Sequence, residues 1–381
     1  MITHLQLKNF TAFTELAIDF SPGINIVIGE NGTGKTQLLK AVLVLSGAEV
    51  CSEQADEQLA RKLCRLYQPL SGQVGELRRT GTRGKSVLKG TLASGQVITA
   101  KFYGKDTTAK VTAAIGSAPE PAIFIPTKEV LSLVRGLTAE QPDLPTIERI
   151  FDDGYLDLAN QLVKEGVSDL NAKVQLDPRF ASIVPRLANL IDGQYLLENG
   201  RFVFEAGRYV EKDAATRSKA QHAQMYQDST EWRFVPSSKQ HLSSGMTAEG
   251  FRKIGVLQRL LSNGSLNPGT TGPLLWDEPE SNLNPKLMKD LVQVLLELAR
   301  NGQQIILATH DYVLLKWFDL LMDKGKGDQV RFFSLYRDSS TRDVKISTTD
   351  DYLHIAPNPI DDAFGYLINQ EIENDMGDLG K

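Results

Sequence analysis

Cysteine is scarce in this sequence, and long apolar runs are missing. The 381 residues include two cysteines, Cys51 and Cys64, too few for a disulfide framework or a thiolate metal site in a chain of this length. No stretch approaches the roughly 18 uninterrupted apolar residues of a transmembrane helix, and the first residues lack the layout of a signal peptide. These absences predict a protein of the reducing cytoplasm, with no membrane partner.

Positive charge is not in excess either. The chain has 42 Lys and Arg against 47 Asp and Glu, a net charge of −5. This balance disfavours a protein whose whole surface binds nucleic acid, although it leaves a local basic patch open. Apolar residues make up 41% and charged residues 23%, as in an average soluble globular protein. The length suggests two or three structural units, or one large domain with insertions.

The strongest motif lies between a predicted strand and a predicted helix. Residues 24–28 are almost all apolar, which predicts a strand buried on both faces, and residues 35–45 have helical spacing. Between them stands a complete G-x-x-x-x-G-K-T, made of Gly29, Glu30, Asn31, Gly32, Thr33, Gly34, Lys35 and Thr36. Such a loop turns its backbone N–H groups toward phosphate oxygens. We expect Lys35 to reach the β and γ phosphates of a nucleotide and Thr36 to ligate Mg²⁺.

A second acidic motif lies far along the chain. Residues 274–276 predict a buried strand, and Asp277 and Glu278 follow it. A carboxylate at the end of such a strand comes close to the phosphate loop, where Asp277 can hold Mg²⁺. Glu278 is the candidate general base, because a carboxylate there can orient and deprotonate an attacking water. An ordinary acidic strand end is the alternative.

Two weaker signals flank this motif. Ser243 and Gly245 precede a helix predicted at residues 246–261, and together they offer a hydroxyl and backbone donors to a γ phosphate; by itself, Ser-Ser-Gly before a helix is more often a simple cap. Downstream, His310 follows a strand predicted at residues 304–308. A histidine at that strand end can hydrogen-bond a γ phosphate, although a lone histidine is more often structural.

Together these motifs resemble the ABC-class ATPases, in particular the compact branch that includes RecF, SMC and OLD-like proteins and small prokaryotic AAA ATPases. Residues 29–36 match Walker A, 274–278 Walker B, 281–284 the D-loop, 242–246 the signature loop and 309–311 the switch-histidine loop. The resemblance implies an α/β fold, a P-loop NTPase of the ABC type. It also implies a mixed β-sheet core with an antiparallel β subdomain and a helical insertion.

Pattern and resemblance together predict a discontinuous domain arrangement. The predicted ATPase core comprises residues 1–47, 122–136 and 241–350. A helix plus antiparallel β insertion is predicted at residues 48–121, a mostly helical insertion or lid with a mobile arm at 137–240, and a helical tail at 351–381.

The resemblance also implies how such a site works. Family members pair two copies head to tail, so Ser243 and Gly245 would act in trans and Asn282 would lie near the seam. Lys35, Glu278 and His310 would be the catalytic residues of an ATP hydrolase that uses ATP and Mg²⁺, in a homodimer or higher homo-oligomer. One departure stands out: residues 124–129, where a Q-loop is expected, contain no Gln. Lys128 or Glu129 is the candidate substitute.

The leading hypothesis is an ATPase whose ATP-driven dimerisation controls a separate effector, a nuclease or toxin, in antiphage defence. The sequence has no sustained heptads for an SMC clamp, and we expect no nuclease domain in the segment after His310. One alternative is a RecF-like ATP-dependent DNA-binding or repair protein, with DNA as a further partner; another is an ATP-binding scaffold that scarcely hydrolyses.

Two groups of side chains bear on these alternatives. The basic residues of the predicted hairpins could contact DNA phosphates or be solvated charges; they are Arg78, Arg79, Arg83, Lys85 and Lys89. Likewise, Trp232, Arg233 and Phe234 could stack on bases or on a partner chain, or form a strand that packs on the core.

Overall fold

The computed structural model describes residues 1–47, 53–113, 120–138, 144–165, 177–211 and 232–378. The chain forms two compact units. Unit 1 comprises residues 1–124, 272–280 and 304–381, and unit 2 comprises residues 125–271 and 281–303. Cys51 and most of the arm predicted near residues 211–240 lie outside the described residues. Among the residues described, no helix is long and apolar enough to cross a membrane.

The strands predicted at residues 24–28, 274–276 and 304–308 are all present, within one residue of the predicted bounds. In chain order, the strands of the described residues are β1 (Ile2–Phe10), β2 (Phe13–Asp19), β3 (Ile24–Gly29), β4 (Ser86–Leu92), β5 (Val97–Phe102), β6 (Lys110–Ala113), β7 (Ile123–Ile125), β8 (Gly193–Glu198), β9 (Arg201–Glu211), β10 (Trp232–Pro236), β11 (Leu242–Ser243), β12 (Leu274–Asp277), β13 (Ile305–Ala308), β14 (Val330–Arg337) and β15 (Val344–Thr349).

Ten α-helices occur in the described part of the chain. They are α1 (Lys35–Ser46), α2 (Ala55–Tyr67), α3 (Val134–Leu137), α4 (Leu144–Ile150), α5 (Asp153–Leu162), α6 (Pro178–Leu190), α7 (Glu249–Ser262), α8 (Met288–Arg300), α9 (Tyr312–Leu321) and α10 (Pro359–Asp378).

Unit 1 contains an antiparallel five-stranded sheet in the order β2-β1-β4-β5-β6. Strand β4 pairs with β1, with Leu5 opposite Gly90 and Lys8 opposite Val87. The strands predicted as an insertion at residues 48–121 therefore belong to one sheet with the N-terminal strands. The domain limits given from sequence stay a prediction.

A six-stranded mixed sheet carries the motifs, in the order β15-β14-β3-β13-β12-β7. Strands β14, β3, β13 and β12 are mutually parallel, whereas β15 is antiparallel to β14. Every residue of β3, β12 and β13 is buried. Helix α1 contacts strands of both sheets of unit 1. The carboxyl ends of the four parallel strands therefore meet at one edge, where open α/β sheets bind ligands.

Unit 2 has an antiparallel sheet in which β9 pairs with β8, β10 and β11. Phe234 of β10 is buried, and its ring lies 5.3 Å from that of Tyr209. Residues 232–234 thus form a strand of this sheet. The packing interpretation is confirmed for Phe234, whereas Arg233 is exposed. Helix α7 begins at Glu249, three residues later than predicted, because Thr247 and Ala248 are extended.

Gln304 joins three backbone segments of unit 1 just before β13. Its side chain is buried, with the residue 2% exposed. Its Oε1 accepts from the Ile2 N–H at 2.9 Å, and its Nε2 donates to the carbonyls of Ile2 and Ser21 at 2.8 and 2.9 Å. One amide side chain therefore satisfies three buried backbone groups.

We predict that Gln304→Leu, which nearly keeps the side-chain volume, lowers the free energy of unfolding by about 2–5 kcal/mol, since the N–H and carbonyl of Ile2 lose this partner and each buried group left unsatisfied costs ~1–3 kcal/mol. The Ser21 carbonyl keeps its hydrogen bond from Asn25 Nδ2. Chemical denaturation of the full chain measures this loss of stability. Gln293→Leu, at a half-buried site on α8, serves as the control and is expected to change stability by less than about 0.5 kcal/mol. Equal stability of Gln304→Leu and the wild type would contradict the prediction.

Candidate active site

Glycines shape the loop between β3 and α1. The φ angles of Gly29, Gly32 and Gly34 are +148°, +77° and +97°, values that side-chain-bearing residues rarely adopt. A Cβ on Gly29 would lie 2.3 Å from the Leu335 carbonyl oxygen, and one on Gly34 would lie 2.8 Å from the Phe13 ring. The loop therefore fits only glycine at these two close approaches.

Three further residues complete the loop. Asn31 is exposed and Thr33 is buried; the Thr33 hydroxyl donates to the Glu30 carbonyl at 2.8 Å. Lys35 is buried, and its Nζ donates to the Gly29 carbonyl at 2.7 Å. Burial lowers the pKa of the Lys35 ammonium, and the carboxylates within residues 277–280 partly oppose this shift. The ammonium therefore lies at the loop that the sequence assigned to phosphates.

Thr36 and Asp277 meet at the edge of the sheet. The Thr36 hydroxyl donates to Asp277 Oδ2 at 2.8 Å, across 241 positions of sequence. Within the described residues there is no cluster of three or more carboxylate, imidazole or thiol groups that could hold a metal. A cation here would take further oxygen ligands from water and phosphates, as Mg²⁺ commonly does. The two oxygen donors suit such a cation.

Glu278 and His310 lie beside this pair in unit 1. Glu278 has φ +49°, a left-handed conformation that costs roughly 1–3 kcal/mol and is concentrated at functional sites. Its N–H donates to the Ala308 carbonyl at 2.8 Å, and its Oε1 lies 3.3 Å from His310 Nδ1. The candidate base and the candidate switch histidine are thus neighbours.

Glu280 is a site residue that the sequence analysis did not assign. It is 7% exposed. Its Oε1 accepts from the Thr309 hydroxyl at 2.8 Å and from the His310 N–H at 3.2 Å. Burial raises the pKa of this carboxyl, and the hydrogen bonds from Thr309 and His310 oppose the shift. Glu280 therefore holds the backbone at His310 in place.

Arg337 also went unassigned. It ends β14, which runs parallel to β3 with Leu335 opposite Gly29. Because Arg337 lies two residues beyond that pair, its guanidinium extends over the loop and donates to the Gly32 carbonyl at 2.7 Å. This hydrogen bond stabilises the exposed part of the glycine-rich loop.

The basic residues predicted to contact DNA differ in their surroundings. Arg79 donates to the Ala12 carbonyl and forms an ion pair with Asp343 at 3.1 Å, so its guanidinium is held within unit 1 and is not free for DNA. Arg83 and Lys85 are exposed. Only part of the predicted cluster is therefore available to a nucleic acid phosphate.

The remaining predicted residues belong to unit 2. Ser243 and Gly245 are exposed on either side of buried Ser244, in β11 and the short turn after it. Asn282 is exposed, with φ +61°. Ser243 precedes a three-residue turn and not α7, so the alternative interpretation of Ser243 as a cap of that helix is wrong, and the phosphate contact stays a prediction.

At the expected Q-loop position, the two candidate substitutes lie in different surroundings. Glu129 is buried and forms an ion pair with Arg252 at 2.9 Å. It also accepts from the Ser132 N–H at 3.1 Å. Lys128 is exposed. Glu129 is therefore committed to the interior of unit 2, which leaves Lys128 as the remaining candidate.

Two family models match the sequence. Residues 136–316 match the model described as "AAA domain, putative AbiEii toxin, Type IV TA system", and residues 4–84 match one described as "AAA domain". The chain is also 36% identical over 93 residues to the DNA replication and repair protein RecF of Limosilactobacillus fermentum, covering 23% of this chain and 25% of that protein.

A second RecF, from Bacillus mycoides, is 40% identical over 60 residues, which is 16% of each chain. The chain thus matches a quarter or less of the length of these relatives. Among solved structures, the SMC head bound to the C-winged helix domain of ScpA aligns with 91% of this chain and 97% of its own, at 15% identity and a TM-score of 0.48. The SMC head domain from Thermotoga maritima aligns at 12% identity, with coverage of 91% and 98% and a TM-score of 0.43.

We predict that Glu280→Ala slows ATP turnover by about 10- to 100-fold, because misplacing a group at a reacting centre by about 1 Å costs rate on this scale. Nucleotide affinity should change less than about twofold, because no loop contact is lost. Phosphate release and titration with a fluorescent nucleotide measure the two effects. Glu280→Gln keeps an oxygen acceptor and is expected to stay near the wild-type rate; equal loss in both variants would contradict the positioning role.

The candidate nucleotide site is built from residues that are far apart in the sequence. The glycine-rich loop, the Thr36–Asp277 contact and the Glu278–His310 pair converge at one sheet edge. The AAA models match residues 4–84 and 136–316, and the RecF relatives match shorter stretches. The chain is thus similar in sequence to AAA-domain proteins and to RecF, and its site contains the glycine-rich loop, hydroxyl and carboxylate expected of a P-loop nucleotide site.

Proposed function

We propose that the chain is a Mg²⁺-dependent ATPase, that two copies enclose ATP in composite sites, and that the cycle controls a separate effector. The observation that carries this proposal is the 2.8 Å contact between Thr36 and Asp277, with Lys35 at the same sheet edge. This combination of an ammonium, a hydroxyl and a carboxylate suits a magnesium nucleotide and has no evident structural purpose.

Within one copy, each side chain has a distinct task. The N–H groups of residues 32–36 and the positive end of α1 bind phosphate oxygens. Lys35 turns from the loop carbonyls to the β and γ phosphates, while Thr36 and Asp277 hold the cation. Bound Mg²⁺ supplies charge neutralisation on the phosphate oxygens.

Hydrolysis then depends on the two neighbouring groups. Glu278 orients the attacking water and accepts its proton. His310, 3.3 Å from Glu278, donates to the γ phosphate and keeps the carboxylate facing the water. Glu280 holds the His310 backbone by its 3.2 Å hydrogen bond, so that the histidine stays aligned through the reaction.

The second half of the site comes from another copy. Ser243 and Gly245 are exposed on unit 2, where a hydroxyl and backbone donors are available to a γ phosphate. Asn282, exposed on the same unit, would face the seam between the copies. Such a site closes when ATP is bound and opens after hydrolysis.

The effector is the broadest part of the proposal. The match over residues 136–316 is to a model whose description names the AbiEii toxin. The same description names a Type IV TA system. We infer from it a role with a toxin or nuclease partner in antiphage defence, in which the opening and closing of the dimer restrains or releases that partner.

A RecF-like role in DNA binding is the second candidate. The RecF matches and the exposed Arg83 and Lys85 favour it. Salt-sensitive DNA binding that is lost in Arg83→Gln/Lys85→Gln would favour this role over effector control. A scaffold that binds ATP without turnover is separated from both by a steady-state phosphate-release assay.

We predict that Glu278→Gln retains ATP binding, lowers turnover by at least about 10²-fold, as expected for loss of a general base, and accumulates an ATP-bound dimer. Lys35→Ala should lose nucleotide binding. Phosphate release, nucleotide titration and light scattering after gel filtration measure these outcomes. Glu15→Gln, at an exposed position on β2, is the control and should behave as wild type. Normal hydrolysis by Glu278→Gln would show that the base is another group.

A further inference from the structure

Unit 2 contains a lysine whose side chain is almost completely enclosed. Lys253 lies in the second turn of α7 and is 1% exposed. Burial of an ammonium is costly unless hydrogen bonds compensate. Lys253 Nζ donates to Ser281 Oγ at 2.8 Å. A buried charge is thus directed at the first residue of the D-loop, residues 281–284.

The Ser281 hydroxyl extends this contact to another segment. While it accepts from Lys253, it donates to the Thr127 carbonyl at 3.4 Å. A hydroxyl can accept and donate at the same time. Ser281 is therefore held from both sides, by α7 and by the segment that occupies the expected Q-loop position.

The preceding turn of α7 supports the same loop. Glu249 Oε1 accepts from Asn282 Nδ2 at 2.7 Å, and a Cβ on Gly250 would lie 2.6 Å from the Asn282 carbonyl oxygen. Glu249 and Lys253 are four residues apart and so lie on one face of the helix. That face binds the D-loop through two side chains and one close backbone approach.

Arg252 connects the same helix to the signature loop. Its guanidinium donates to the Ser244 carbonyl at 3.3 Å and to the Thr247 carbonyl. The ion pair between Arg252 and Glu129 holds it in place. The first two turns of α7 thus bind residues 242–247 on one side and residues 281–284 on the other.

We propose that Lys253 is a positioning residue that holds the D-loop against α7, the helix after the signature loop, through its hydrogen bond to Ser281. The two loops that a composite site takes from one copy then move as a single body. The assignment of these loops to the nucleotide of a second copy rests on the proposed function. The Lys253–Ser281 hydrogen bond itself is a property of one copy.

The test compares Ser281→Ala, Lys253→Met and their combination in the full-length chain. Ser262→Ala is the matched control, because it removes a hydroxyl hydrogen bond to the Arg259 carbonyl in the last turn of the same helix. The first readout is hydrogen exchange of the amides of residues 281–284 without nucleotide. The second readout is ATP turnover. The third is the affinity of the full-length chain for a fluorescent nucleotide.

We expect hydrogen exchange at residues 281–284 to be about tenfold faster in Ser281→Ala and in Lys253→Met. Both variants lose the hydrogen bond that opposes local unfolding of the D-loop. The double variant should be no worse than the more affected single variant, because the two residues share one interaction. Turnover should fall about tenfold with nucleotide affinity within about twofold, and Ser262→Ala should match wild type.

Unchanged exchange in folded Ser281→Ala, or additive effects in the double variant, would overturn the proposal. If Lys253→Met does not fold, Ser281→Ala alone decides. A wild-type chain without ATP turnover refutes the proposed function, yet the exchange readout still tests the Lys253–Ser281 hydrogen bond.

Discussion

The hydrogen bond between Thr36 and Asp277 depends on the register of three buried parallel strands. Asp277 lies opposite Ala308, and Ala308 lies opposite Val27 of β3. A shift of one strand by a residue would move its side chains to the other face of the sheet. Register, set by burial on both faces, therefore places the phosphate loop, the acidic pair and His310 at one edge.

Each unit carries a different part of the proposed chemistry. Unit 1 holds the candidate cation-binding oxygens, the candidate base and the candidate switch histidine. Its glycine-rich loop accepts a hydrogen bond from Arg337 and lies close to the Phe13 ring of β2. Unit 2 carries an exposed hydroxyl and glycine, with α7 behind them. The resemblance to ATPases that pair head to tail is the basis of the proposal that two copies enclose the nucleotide.

Much of the motif-bearing sheet and of the phosphate loop could be predicted from local sequence patterns. The apolar runs of β3, β12 and β13 mark strands buried on both faces, and the glycine-rich loop has a composition that few other structures need. In contrast, the pairing of β1 with β4 was not predictable, because cross-strand pairing between distant segments leaves no periodic signal in one sequence. The start of α7 was misplaced since two extended residues interrupt an otherwise helical pattern.

The unassigned site residues were hidden for specific reasons. Glu280 follows Asp277 and Glu278 in sequence, but only the fold reveals that it accepts a hydrogen bond from the Thr309 hydroxyl. Arg337 acts through strand register, which sequence does not encode locally. Lys253 carried a usable signal, because a lysine four residues before Leu257 falls on the apolar face of α7 and so predicts a buried partner.

The most direct measurement of the account is a mixing experiment with two inactive chains. Lys35→Ala removes the phosphate loop's ammonium, and Ser243→Arg blocks the exposed hydroxyl of unit 2. Each should be inactive alone. A mixed dimer contains one intact composite site, so mixing should restore roughly a quarter of wild-type turnover if dimers exchange at random. Full activity of Ser243→Arg alone, or no recovery on mixing, would contradict a nucleotide shared between two copies.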